Sequence, residues 1–182
     1  MPVAYIALGA NLPSPAGPPE FTLTAAAARL NSIGSITARS SLYSTAPVGL
    51  PGQTIDQPRF LNAALALDTA LSPRDLLDAL LAIEREFGRN RAASVPSGPR
   101  TLDLDILLYG DSILSEPSLE IPHPRLDQRA FVLIPLNEIA ADLRDPRSGR
   151  TIAELLRVLP NRSSTNAVEK IESSPWAAKI VS

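Results

Sequence analysis

The run at residues 98–108, GPRTLDLDILL, constrains this chain more than any other stretch. Leu102, Leu104, Ile106 and Leu108 alternate with Thr101, Asp103, Asp105 and Leu107. A period of two marks a β-strand, whose successive side chains point to opposite faces. One face is wholly apolar and belongs on a core. The other carries two carboxylates roughly 7 Å apart, with Arg100 at the entrance to the strand. Leaving such a pair buried and unpartnered is costly. The fold must therefore bring cations to that face.

The patterns around this strand suggest how. Residues 3–9, VAYIALG, form a compact apolar run stopped by Gly9. Residues 18–34 are rich in helix formers and end at Gly34, and 35–47 alternate as a strand that stops near Pro47. In 59–69, Leu61, Ala63, Leu65 and Leu67 oppose Phe60, Asn62, Ala64 and Ala66. Residues 72–88 are the clearest helix, with Ser72 as cap, Pro73 in the first position, Asp75 as the acid at the third, and Gly88 at the end. The order strand, helix, strand, strand, helix, strand predicts an α+β fold. It is the ferredoxin-like βαββαβ sandwich, an antiparallel sheet with two helices on one face. The opposite face, bearing Asp103, Asp105, Phe60 and Asn62, is then expected to be free for a ligand. C-terminal additions follow: an extended piece at LEIPHPR, a helix at FVLIPLNEIAAD, a turn at 145–150 and a helix at 151–159. Residues 161–182 lose apolar periodicity and read as a loosely attached tail on a single domain of residues 1–160.

Composition sets the outer limits. The chain has 182 residues, no cysteine and a net charge of −2. Disulfide and thiolate chemistry are excluded, and a broad nucleic-acid surface is not expected. No apolar run approaches the roughly 20 residues of a membrane span, and the N-terminus lacks the basic region of a signal peptide, so a cytoplasmic location is expected. A monomer is expected. The cations are almost all arginine, with Lys170 and Lys179 the only lysines.

Hard carboxylate oxygens at this separation suit Mg²⁺, which commonly takes one or two carboxylates together with substrate phosphates. Arg89 and Arg91 begin the loop that Arg100 ends, and such a group suits a polyphosphate held by bidentate donors. No G-x-x-x-x-G-K-[ST] motif is present, so the phosphates are not held by a P-loop. His123, the only histidine, stands between two prolines near Arg125 and Arg129 and suits a phosphate hydrogen-bond donor. Glu84 opposes the dipole at the end of its helix; a functional contact, or a pair with Arg85 or Arg89, would each explain it. Phe60 and Phe131, in a chain with 4% aromatics, are core residues or a clamp for a planar ring beside Asn62.

The blocks YIALGANL, LYSTAPVG, RFLNAALAL, IEREFGR, GPRTLDLDILL and IPHPRLDQRAFVLIPLNEIA occur in this order over residues 2–160. Together they closely resemble the 6-hydroxymethyl-7,8-dihydropterin pyrophosphokinases of folate biosynthesis. The resemblance implies transfer of diphosphate from ATP to the pterin hydroxymethyl oxygen, with release of AMP, two Mg²⁺ ions and a ferredoxin-like fold. It implies that Asp103 and Asp105 ligate metal and that Arg89 and Arg100 hold the triphosphate. Glu84, Arg91, Ile106, His123 and Arg129 fall at further nucleotide positions. Thr45, Ala46, Val48 and Asn62 fall at pterin-pocket positions, and Phe60 and Phe131 at the two rings that sandwich the pterin. Ser97, Leu81, Ser118 and Glu120 depart from residues found in some members.

The competing readings are a Mg²⁺-dependent phosphohydrolase, which needs no ring clamp, and a ferredoxin-like sensor, which needs no carboxylate pair. No general base is legible; a metal-activated hydroxyl and a water relay both stay open. Loops 46–58 and 89–99, rich in Gly, Pro and small polar residues, are expected to close over the ligands.

Overall fold

The computed structural model describes residues 1–47, 57–91, 98–159, 168–172 and 174–177. Its sheet contains β1 (Val3–Ala10), β2 (Ser35–Arg39), β3 (Leu42–Thr45), β4 (Phe60–Asp68) and β5 (Asp103–Tyr109). Helices α1 (Pro19–Leu30) and α2 (Pro73–Glu86) lie between them in the chain. A hairpin of β6 (Leu114–Glu116) and β7 (Leu119–Ile121) follows, then α3 (Ala130–Ala140), α4 (Ile152–Val158) and β8 (Val168–Ile171). The strand order is β5-β1-β4-β3-β8, with β2 also beside β4, and the pairs are antiparallel. This is the expected ferredoxin-like arrangement.

Leu23, Ala26, Leu30, Leu76, Leu80 and Ile83 of the two helices pack on Ile6, Leu8, Leu65, Leu67 and Leu104 of the sheet. The α2 cap is as anticipated, with Asp75 N–H donating to Ser72 Oγ at 3.2 Å and Pro73 at the first position. The opposite sheet face differs from expectation, because α3 and α4 cover much of it. Their Leu133, Leu136, Ile152 and Leu155 meet Ala64, Leu107 and Leu108. The small side chains of Ala7 and Ala64 leave room for α3 to approach. Only the end of this face that carries Asp103, Asn62 and Phe60 is left for a ligand.

A shift of register between Tyr5 and Ile6 explains how Leu108 comes to this second core. Tyr5 pairs with Leu108, whereas Ile6 pairs with Ile106. Leu107 is thus an extra residue, and the alternation inverts beyond it. Leu108, expected on the helix face with Leu104, packs under α3 and α4 instead.

The strand anticipated over 35–47 is two strands. At the break, Ser40 Oγ accepts the Ala64 N–H at 2.9 Å and donates to the Ser41 carbonyl at 2.8 Å. The side chain thereby satisfies backbone that a continuous ladder would have paired. Nor does Gly9 stop β1, which continues to Ala10. The expectation of a loose tail does not describe residues 168–172 and 174–177. Strand β8 pairs with β3, and Trp176 is buried in the helix-side core. Its indole N–H donates to the Ser40 carbonyl at 2.7 Å, and the Arg39 guanidinium lies 4.6 Å from its ring centre. Among the described residues no helix is long and apolar enough to cross a membrane.

Candidate functional site

Cross-strand register assembles the site. Asp103 on β5 pairs with Gly9 on β1, Gly9 with Asn62 on β4, and Asn62 with Tyr43 on β3. Residues directly opposite in adjacent strands share a face. The carboxylate and the amide therefore flank a glycine on one surface. A Cβ at Gly9 would lie 3.4 Å from Asn62 Oδ1 and 4.0 Å from Asp103 Cβ. The missing side chain opens a floor between them. In the neighbouring row Asp105 pairs with Ala7, and Ala7 with Ala64. Sequence reasoning did not assign Gly9 to the site; a glycine inside a strand pattern was the available signal.

At one end of this floor stand the cations. Arg100 Nη1 donates to Asp103 Oδ2. Arg89 Nη2 lies 3.7 Å and Arg91 Nη2 3.8 Å from Asp103 Oδ1. The three arginines thus converge on one carboxylate, and Asp103 and Glu84 offset the repulsion among them. Arg89, with a side chain only 10% exposed, keeps two donor nitrogens, Nε and Nη1, without a hydrogen-bond partner among the described residues. Glu84 is 1% exposed and is an internal bolt. It accepts Arg91 Nε and Nη2, each at 2.7 Å, and the Leu104 N–H at 2.9 Å. It fastens α2 to β5 and aims Arg91, and its oxygens already serve protein donors.

Asp105 sits apart from this exchange. Among the described residues it makes no ion pair within 4 Å, and burial, reinforced by the Asp103 charge, raises its pKa to about 6 against the opposing pull of Arg129 and Arg91. A half-buried carboxylate without a close ion pair among the described residues, beside a second carboxylate, fits a hard divalent cation. The described residues hold no group of three His, Cys, Asp or Glu side chains that would cage one. A cation here needs ligand oxygens from elsewhere, the mode typical of Mg²⁺ with phosphates.

His123 approaches from the segment after β7. Its N–H donates to the carbonyl of Leu107, the extra residue of β5, at 2.9 Å. Its Nδ1 accepts the Arg125 N–H at 3.1 Å, which leaves the proton of the neutral ring on Nε2. Burial, with Arg129 and Arg125 nearby, lowers its pKa to about 4. It is a neutral donor at pH 7. Ile106, by contrast, packs in the helix-side core, so its side chain is not brought to the carboxylate face.

The other end of the floor is more sheet-like. Asn62 Nδ2 donates to Thr45 Oγ1 at 2.8 Å, both groups being buried. The Arg100 guanidinium lies 5.2 Å from the Phe60 ring centre, and that of Arg129 5.5 Å from Phe131. Ala46 is exposed just beyond β3, and Val48 lies outside the described residues. So do most of the two loops expected to close.

A second unassigned residue, Asn11, links these ends. It is 2% exposed. Its Oδ1 accepts the Arg100 N–H at 2.8 Å, while its Nδ2 donates to Gln57 Oε1 at 3.1 Å and the Pro58 carbonyl at 3.0 Å. Asparagine immediately after a strand is a turn signal, but nothing local names partners so distant in sequence.

The sequence matches the family model described as 7,8-dihydro-6-hydroxymethylpterin-pyrophosphokinase (HPPK) over residues 5–141. The chain belongs to the HPPK family. A 2-amino-4-hydroxy-6-hydroxymethyldihydropteridine pyrophosphokinase of Pseudomonas aeruginosa is 49% identical over 156 residues, covering 86% of this chain and 91% of that protein. The Bacillus subtilis protein of the same name is 40% identical, covering 94% and 98%. Crystal structures of Plasmodium falciparum HPPK-DHPS superpose with TM-scores of 0.69 and 0.67 at 16% identity. These superpositions cover 93% of this chain but only 47% and 46% of those longer ones, so they speak to the fold of the HPPK portion.

Proposed function

We propose that the floor from Asp103 to Asn62 carries out the reaction of the HPPK family: transfer of diphosphate from ATP to the hydroxymethyl group of 6-hydroxymethyl-7,8-dihydropterin, releasing AMP. The carrying observation is the row Asp103–Gly9–Asn62, which sets a charge-handling end and a ring-reading end two strands apart, about 10 Å, over an open glycine. The open N–H groups of Arg89 and the guanidinium of Arg100 take phosphate oxygens of ATP. As they do so they would release Asp103 from its arginines, and Asp103 and Asp105 are the residues that would hold Mg²⁺. Two such ions, when bound, would neutralise phosphate oxygens and supply Lewis-acid stabilisation of the leaving AMP. Glu84 keeps Arg91 aimed at the same charge, and His123 Nε2–H and Arg129 donate to further nucleotide oxygens.

At the other end Asn62 and Thr45 read the polar edge of the pterin while Phe60 and Phe131 cover its faces, with Ala46 and Val48 along the pocket wall. These contacts hold the hydroxymethyl oxygen in line with the β-phosphorus. A bond forms between that oxygen and the β-phosphorus as the bond from the β-phosphorus to the bridging α-phosphate oxygen breaks; AMP leaves with that oxygen, and the hydroxyl proton is released to water.

Incubation with ATP, Mg²⁺ and the reduced pterin, followed by chromatography, tests the reading. The expected result is AMP in equal amount to pterin diphosphate, abolished by EDTA. Inorganic phosphate or ADP as the nucleotide-derived product would overturn it.

A further inference from the structure

One charged side chain close to the site has no place in the reaction as described. Arg147 stands in the turn between α3 and α4, and its guanidinium points back across that turn to the segment bearing His123. Its Nη2 donates to the carbonyls of Pro122 and His123, each at 3.1 Å. Its Nη1 lies 3.4 Å from Glu120 Oε1.

The turn itself is firmly built. Asp145 is 5% exposed. Its Oδ1 accepts the Arg147 N–H at 3.1 Å, its Oδ2 the Ser148 hydroxyl at 2.6 Å, and its N–H donates to the Arg150 carbonyl at 2.9 Å. Gly149, at φ +72°, closes the turn in the left-handed region where glycine is unstrained. Beyond it, Thr151 and Glu154 cap α4 reciprocally. Arg147 therefore reaches out from a fixed base. Glu120, one of the departures from the family pattern, is used as its anionic partner.

The effect falls on one imidazole. His123 is held at its N–H by Leu107, at Nδ1 by the Arg125 N–H, and at its carbonyl by both the Leu126 N–H and Arg147. Nε2–H is the ring group these contacts leave for a ligand. Of the four holds, that of Arg147 is the one made by a side chain from a distant turn.

We propose that Arg147 is a positioning residue for the nucleotide, holding the Pro122–His123 backbone so that His123 Nε2–H meets a phosphate oxygen of ATP. This rests on the phosphate role of His123 given above. The test is a double-mutant cycle with R147Q, H123Q and the double variant, using KM for ATP, the affinity for the pterin and the thermal midpoint. Loss of two carbonyl hydrogen bonds should raise KM for ATP roughly 3- to 10-fold in R147Q, leave pterin affinity unmoved, and add nothing in the H123Q background.

The chain's single imidazole also gives an unambiguous NMR titration. The charges facing it are Arg129, Arg125 and Arg147, which lower its pKa, and Asp103, which opposes them. R147Q should move its midpoint up from about 4, whereas R147K, which keeps the charge but lacks the fork, should hold the midpoint low and still raise KM. R147K also serves if R147Q does not fold. An R147Q penalty of equal size in both backgrounds, or no change of KM in R147Q while H123Q raises it, overturns the positioning role. An unchanged KM in H123Q instead removes the phosphate contact on which that role rests.

Discussion

The two ends of the site store their polar groups differently. At the ring end, Asn62 and Thr45 hold each other between neighbouring strands, and their geometry is set by the sheet before any ligand arrives. At the end proposed for phosphate, Arg100, Arg91, Asp103 and Glu84 neutralise one another, and on that reading binding proceeds by exchange of partners. A preformed pocket loses little freedom on binding. A self-paired ionic cluster protects the fold from uncompensated charge, and on the proposed reading an anion that replaces Asp103 opens it. The difference implies that the ring end reports shape and the phosphate end reports charge.

The largest expected effect breaks the phosphate end. Asp105→Ala should lower turnover by about 10²–10³, the scale of losing one key electrostatic group. It should also leave the fold intact, because a half-buried carboxylate repelled by Asp103 is removed. Steady-state kinetics and thermal melting measure both, and near-full activity would contradict the metal role of this residue. A smaller effect isolates the ring end. Phe131→Ala should weaken pterin binding by about 1–3 kcal/mol, by analogy with bases stacked on aromatic rings, while ATP binding moves little. Calorimetric titration of each ligand decides; equal losses for both would erase the distinction between the ends.

The mildest test uses pH. His123 titrates at about 4 in the fold against 6.5 ordinarily, so between these values the unfolded chain binds the extra proton. Its contribution is complete above 6.5 and is lost as pH falls towards 4. Asp105, raised from 3.8 to about 6, acts in the opposite sense, its contribution being lost as pH rises through 6. The two partly cancel in the native protein. Relative to that protein, His123→Gln should therefore gain about 1 kcal/mol on going from pH 6.5 to 5.5. Denaturant unfolding at both values measures the difference, and identical slopes for the two proteins would place the imidazole outside the cation cluster.

Legibility in the sequence followed the range of the interaction. Alternation in β1, β4 and β5 and the Ser72-Pro73 cap of α2 are local patterns, and the fold class followed from their order. The carboxylate pair and Asn62 were legible because strand period puts them on one face. Leu108 was misplaced because a bulge depends on the partner strand. The Ser40 break was invisible because its hydroxyl satisfies Ala64, distant in sequence. Glu84 was legible as a misfit at the end of a helix, but its Arg91 and Leu104 partners required three elements to be assembled first. Asn11 and Arg147 act on the backbone carbonyls and amides of other segments, which no side-chain pattern encodes.

The placement of β8 and Trp176 has a consequence for how the protein is made. Trp176 and the Ser40 carbonyl it satisfies are 136 residues apart. At about 5–20 residues per second, a ribosome needs on the order of ten seconds to deliver one after the other. Once β5 has been made and until β8 follows, a sheet formed from the earlier strands has an uncovered margin along β3, whose N–H and C=O groups are open to strands of other nascent chains. The stretch from β8 to Trp176 is thus a closing seam, and a product broken off before it would retain Asp103, Asp105 and Asn62 while presenting a sticky edge for chaperones or neighbouring chains to occupy.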